Sequence, residues 1–104
     1  IMTMRRFTQL KRYVKLEKIS QTCCACPTQF EGKTDSGDYL YCRYRYGWMS
    51  IELNGKELMD VKYGDEWAGC CSWEDFVKQA SRNGIIIDDS NAEYLDDEEG
   101  IWNE

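Results

Sequence analysis

Tyr39-Leu40-Tyr41-Cys42-Arg43-Tyr44-Arg45-Tyr46-Gly47-Trp48-Met49-Ser50-Ile51-Glu52-Leu53-Asn54-Gly55 is the stretch on which the fold turns. From Asp38 to Tyr46 it is rich in aromatic residues, which suit a pleated, half-covered surface. In a strand, Leu40, Cys42, Tyr44 and Tyr46 fall on one face and Tyr39, Tyr41, Arg43 and Arg45 on the other. Gly47 marks a tight turn or a bulge. Trp48–Leu53 is a second strand candidate, and Asn54-Gly55 closes it with the residue pair that a type I′ hairpin turn selects, since both central positions need positive φ. A two-residue loop sets Leu53 opposite Lys56 and Ile51 opposite Leu58. Met49, Ile51, Leu53 and Leu58 then share one face and Trp48, Met59 and Val61 the other, so this hairpin is expected to be covered on both sides.

Downstream, Ser72 has the hydroxyl of a helix N-cap, and Glu74 and Asp75 complement the positive end of the helix that follows. Trp73, Phe76, Val77 and Ala80 recur at i, i+3, i+4 and i+7, an apolar stripe that predicts an amphipathic helix over about 73–83, closed by Asn83-Gly84. Ile85–Ile87 reads as a short buried strand. Upstream, 13–19 reads as an extended strand after a helix or turn at 6–12, and 22–37 as loop and turn around Pro27, Gly32 and Gly37. The expected fold is therefore α+β: a small antiparallel sheet of three to five strands, one amphipathic helix packed on it, and an acidic C-terminal tail.

The 104 residues make one domain, 1–104, with a lopsided charge. Segment 1–20 is basic, with a balance of +5; residues 85–104 carry eight acids and no base, and the whole chain is at −6. Asp88 to Glu104 is the acidic tail, interrupted by Tyr94, Leu95, Ile101 and Trp102. The longest aliphatic run, Ile85–Ile87, is far short of the ~20 residues that cross a bilayer. No apolar signal segment follows Arg5-Arg6 and no Asn-x-Ser/Thr sequon occurs, so a cytoplasmic protein is expected.

Histidine is absent, which removes imidazole ligands and every Ser–His or Cys–His catalytic pair, so an enzyme is not expected. The six cysteines are read as reduced, buried thiols that pack as small apolar groups, with no cofactor. The alternative is a zinc-stabilised binding module ligated by Cys23, Cys26, Cys70 and Cys71. Gly32-Lys33-Thr34 lacks the upstream glycine of a phosphate loop, because Pro27 stands there. Arg43-Tyr44-Arg45-Tyr46 interleaves bases with aromatics, but alternation separates the arginines from Tyr44 and Tyr46. The acidic tail also competes with phosphate, so direct nucleic-acid binding is not expected.

In size and charge the chain is similar to small acidic inhibitors of phages and mobile elements, such as anti-CRISPR and antirestriction proteins, and to bacterial toxin-immunity proteins. The acidic tail with its interleaved aromatics points in the same direction, to a protein partner with a basic, nucleic-acid-binding surface. Asp88, Asp89, Asp96, Asp97, Glu98 and Glu99 would then supply the charge, and Tyr94 and Trp102 the anchors. A homodimer in which each basic N-terminus meets the other chain's acidic tail is a third reading.

Overall fold

The computed structural model describes residues 12–24, 28–65 and 70–95. Five strands form an antiparallel meander: β1 (Arg12–Cys24), β2 (Thr28–Thr34), β3 (Tyr39–Arg45), β4 (Trp48–Leu53) and β5 (Lys56–Lys62). A crossover through helix α1 (Trp73–Arg82) carries the chain to the far edge of β1. There β6 (Ile85–Asp88) runs parallel to Arg12–Lys15 and β7 (Glu93–Leu95) parallel to Lys18–Ser20. Lys15 to Lys18 is three steps along β1, whereas Asp88 to Glu93 is five steps along its neighbour. β6 and β7 thus lie along the same edge of β1, with the four residues Asp89–Ala92 looped between them opposite two residues of β1.

The expected sheet of three to five strands carrying a helix is overturned. Among the described residues the sheet has seven strands and curls into a nearly closed, barrel-like form with a single short helix. Strand makes up 61% of the described residues and helix 13%, so the inner face of the sheet, not a helix–sheet layer, holds most of the core. Three local readings account for the difference. Residues 28–34, expected as loop, form β2, whose buried positions are Thr28, Phe30, Gly32 and Thr34. Residues 88–95, expected as tail, complete β6 and form β7. The strand expected at 13–19 runs on to Cys24, and residues 6–11 lie outside the described residues.

Direct cross-strand partners share a face. Phe30, Cys42, Ile51 and Met59 are one inner row, and Thr28, Tyr44, Met49 and Val61 the next. The pairing of Leu53 with Lys56 is as expected, but a bulge between Ile51 and Glu52 pushes Leu58 out of register. Ile51 therefore faces Met59, and Met59 and Val61 join the core instead of the opposite face. One extra residue suffices, because a strand's faces alternate with period two. Gly32 is needed where it sits: a Cβ there would come 3.1 Å from Leu16 Cδ2 and 3.3 Å from Ile19 Cδ1. Its bare backbone lets both β1 side chains lie across β2.

Helix α1 forms as the sequence predicts. Ser72 Oγ accepts from Asp75 N at 3.1 Å while Asp75 Oδ2 accepts from Ser72 N at 2.9 Å, a reciprocal capping box. The Ser72 backbone bond, opposed in part by burial, holds the Asp75 carboxyl below its usual range. Trp73, Phe76 and Ala80 are buried, and the Phe30 ring meets Trp73 at 5.3 Å and Phe76 at 5.6 Å. Tyr44 donates to the Tyr63 carbonyl, and Tyr63 Oη donates to Asp75 Oδ1 at 3.1 Å, so β3, the end of β5 and the helix start are linked. Ser72→Ala is expected to lower stability by about 1 kcal/mol. Thermal unfolding should show a melting point roughly 4–8 °C lower.

Among the described residues no helix is long and apolar enough to cross a membrane.

Candidate functional site

The acidic residues that the sequence offers for a partner do not behave as one solvated tail. Asp88 ends β6 and accepts three hydrogen bonds, from Tyr13 Oη at 3.2 Å, Ser90 N at 3.1 Å and Ser90 Oγ at 2.7 Å. The Ser90 bonds, with smaller contributions from Tyr13 and Lys15, keep its carboxyl below the usual range. Asp89 Oδ2 accepts from the indole Nε1 of Trp73 at 2.7 Å, which ties the edge strand to the first turn of α1. Both carboxylates shape the loop between β6 and β7 as well as lending charge to it.

Tyr94 is different. It stands on β7 with 58% of its surface exposed. Partial burial, then the charges of Asp89 and Glu74, push its phenol up. The crossover has thus brought the helix N-terminus (Glu74) beside the edge strand (Asp89, Tyr94), residues that are 15 to 20 positions apart in sequence. A shallow cleft of about 310 Å³ lies next to them, lined by Trp73, Glu74, Val77, Lys78 and Asp89. Asp96, Asp97, Glu98, Glu99 and Trp102 lie outside the described residues. Glu74 was legible only as a helix-end charge, since nothing in the sequence shows that β7 returns to it.

The outer face of the meander carries a second concentration of functional side chains. Tyr39, Tyr41, Arg43 and Arg45 point outward from β3 as alternation predicts, and the pairing of Arg45 with Trp48 and of Trp48 with Lys62 puts those two on the same face. Along the strands the face is graded. Glu31, Tyr41, Glu52 and Glu57 form an acidic row. Burial, then the nearby Glu31 carboxylate, push the adjacent Tyr39 phenol up to about 12. Two rows on, Arg45, Trp48 and Lys62 form a basic one, with Arg43 and Asp60 in the row between. The Arg45 guanidinium lies 4.8 Å from the centre of the Tyr46 ring, and Lys62 Nζ lies 5.9 Å from that of Trp48.

The thiols do not assemble a metal centre within the described residues. No group of three Cys, Asp or Glu side chains there is placed to hold an ion, and Cys26 lies outside them. Cys42 sits in the inner row, where burial raises its thiol far above the ordinary range. Burial likewise pushes Cys71 up to about 12.

Comparison with protein-family models, with curated proteins and with solved structures finds no match to this chain.

Proposed function

We propose that the protein is a non-enzymatic binding protein that covers a basic surface on a nucleic-acid-handling partner, in the manner of anti-CRISPR and antirestriction inhibitors. The observation that carries this reading is an exposed tyrosine, Tyr94, held beside the carboxylates Asp89 and Glu74 on a strand hydrogen-bonded to β1. Carboxylates fixed on a scaffold make strong, charge-assisted bonds to arginine and lysine without first losing much freedom. A partly desolvated tyrosine among them is a common energetic anchor of interfaces. The cleft bounded by Trp73 and Val77 gives a partner's apolar side chain a place beside that charge. In sequence, Asp96, Asp97, Glu98, Glu99 and Trp102 continue the same composition directly after β7. The net charge of −6 adds long-range attraction to a basic partner.

The test is capture by the tagged full-length chain from its native cell, with competing nucleic acid added. A specific partner should be retained by the unmodified chain and displaced by an oligonucleotide. Tyr94→Ala and Glu74→Lys should each weaken retention about tenfold, corresponding to the 1–2 kcal/mol of a typical anchor. Retention that survives both substitutions, or that nucleic acid does not displace, refutes the reading.

A further inference from the structure

From the tip of the β3–β4 hairpin we infer a second site, independent of the acidic edge: a short platform that binds single-stranded nucleic acid. The platform consists of Arg43, Arg45, Tyr46, Trp48 and Lys62.

The hairpin backbone is the first observation. Arg45 pairs directly with Trp48, so the loop is the two residues Tyr46-Gly47, at φ of 54° and 79°. The next hairpin solves the same problem with Asn54-Gly55, at 54° and 82°. Asparagine tolerates the left-handed region and a bulky aromatic does not, so Tyr46 is held in a strained conformation where a relaxed residue would serve. The strain puts a ring at the outermost point of the sheet, 62% exposed, beside Trp48 at 49%.

The second observation is charge. Three cations surround these two rings, and among the described residues none of Arg43, Arg45 and Lys62 forms an ion pair with a carboxylate. The acidic row at Glu31, Glu52 and Glu57 is two rows from Arg45, Trp48 and Lys62, or roughly 14 Å at 3.4 Å per residue, beyond the screening length of about 8 Å at physiological salt. Asp60 lies between, in the row of Arg43. Three cations against this one nearby carboxylate leave the local field at the tip positive although the chain is acidic.

Flat rings with cations beside them suit a ligand that alternates flat bases with phosphates. Bases stack on Trp48 and Tyr46 irrespective of sequence, and Arg43, Arg45 and Lys62 meet the phosphates. Tyr44, which alternation separates from the arginines, is indeed inside the sheet. Tyr46 is in the turn and Trp48 is on the arginine face, and these two make the platform.

The test titrates the purified full-length protein into a fluorescein-labelled, roughly 12-nucleotide single strand, long enough to cover a site of about 4–16 nucleotides, and follows anisotropy and tryptophan quenching. Binding is expected at low salt, falling with added salt at a logarithmic slope of about −2 for three phosphate contacts. Trp48→Ala should weaken it about tenfold, and Arg45→Glu more, while Arg82→Ala on the exposed face of α1 should leave it unchanged. Tyr46→Asn is the decisive variant. It relieves the turn, so the protein should melt at the same or a higher temperature, yet bind several-fold more weakly. Binding unaffected by Tyr46→Asn and Trp48→Ala overturns the inference. So does absence of strand binding, or capture of a polyglutamate peptide instead of the strand, which would assign the tip to an acidic protein. None of these outcomes depends on Tyr94 or Glu74, so the acidic-edge proposal stands or falls separately.

Discussion

Phe76→Ala is expected to remove about 3–5 kcal/mol of folding free energy. A domain of this size has about 5–15 kcal/mol in total, so the variant should be close to unfolded at moderate temperature. Phe76 is fully buried at the centre of the α1 stripe. Its ring meets Phe30 of β2 edge-on at 5.6 Å and Trp73 at 6.4 Å. Alanine would delete a large apolar volume at the junction of helix and sheet, and neighbours pinned by β-ladders cannot collapse to fill it. The helix cannot persist alone, because ten residues are too few for a stable isolated helix in water. Its loss would also release Asp89, whose carboxylate is held by Trp73, and with it the loop between β6 and β7. Urea unfolding should show a much lower midpoint with an unchanged slope. A loss below about 1 kcal/mol would mean that the helix is not a keystone of the fold.

The parts of this structure that are legible in the sequence are those whose signals are local. Ser72 with the Trp73–Phe76–Val77–Ala80 spacing specifies the helix, and Asn54-Gly55 specifies a turn, because capping and turn chemistry act over a few residues. β3 is legible because Leu40, Cys42 and Tyr44 alternate strictly with Tyr39, Tyr41, Arg43 and Arg45, an apolar face against a polar one. β2 is not, because three of its four buried positions are Thr28, Gly32 and Thr34, which read as turn residues. Their burial follows from their neighbours: β1 and β3 lie on either side, and Gly32 is bare because Leu16 and Ile19 need its space. The bulge that turns Met59 and Val61 inward leaves no composition cue at Leu58, and it inverts the expected faces of β5.

The acidic edge was half legible. Charge and the interleaved Tyr94 are plain in the sequence, but the hydrogen bonds from Tyr13 and Trp73 to Asp88 and Asp89 depend on a crossover that returns β6 to β1. Proximity of Glu74 to Tyr94 follows from the same return. The hairpin-tip cluster was visible as Arg-Tyr-Arg-Tyr-Gly-Trp, but the role of Tyr46 depends on where the turn begins. Counted as a strand residue it would face inward with Tyr44; as the first turn residue it projects from the end of the sheet.

Cys42 is expected to resist thiol reagents in the native protein at about pH 8 by a factor of at least ~10³ relative to the exposed Cys70, since a fully buried core site reacts only through global opening. Two effects act together. The sulfur has no exposed surface, lying in the inner row between Phe30 on β2 and Ile51 on β4. Burial also raises its pKa, so the thiolate that reacts is scarce even where a reagent could reach it. Cys71, half-buried and pushed up to about 12, should label at an intermediate rate. Peptide-resolved mass spectrometry after timed alkylation reads all three positions. The helix–sheet junction connects this measurement to the first prediction. If opening is rapid relative to labelling, Phe76→Ala should accelerate the reaction of Cys42 by the same free energy that it removes from folding. A loss of 3–5 kcal/mol corresponds to roughly a hundredfold to a few thousandfold. The exposed Cys70 should change little, because its reaction does not wait for the sheet to open. Equal labelling of Cys42 and Cys70 in the unmodified protein would contradict a closed inner row, and with it the packing of β2, β3 and β4 on which the hairpin-tip platform is mounted.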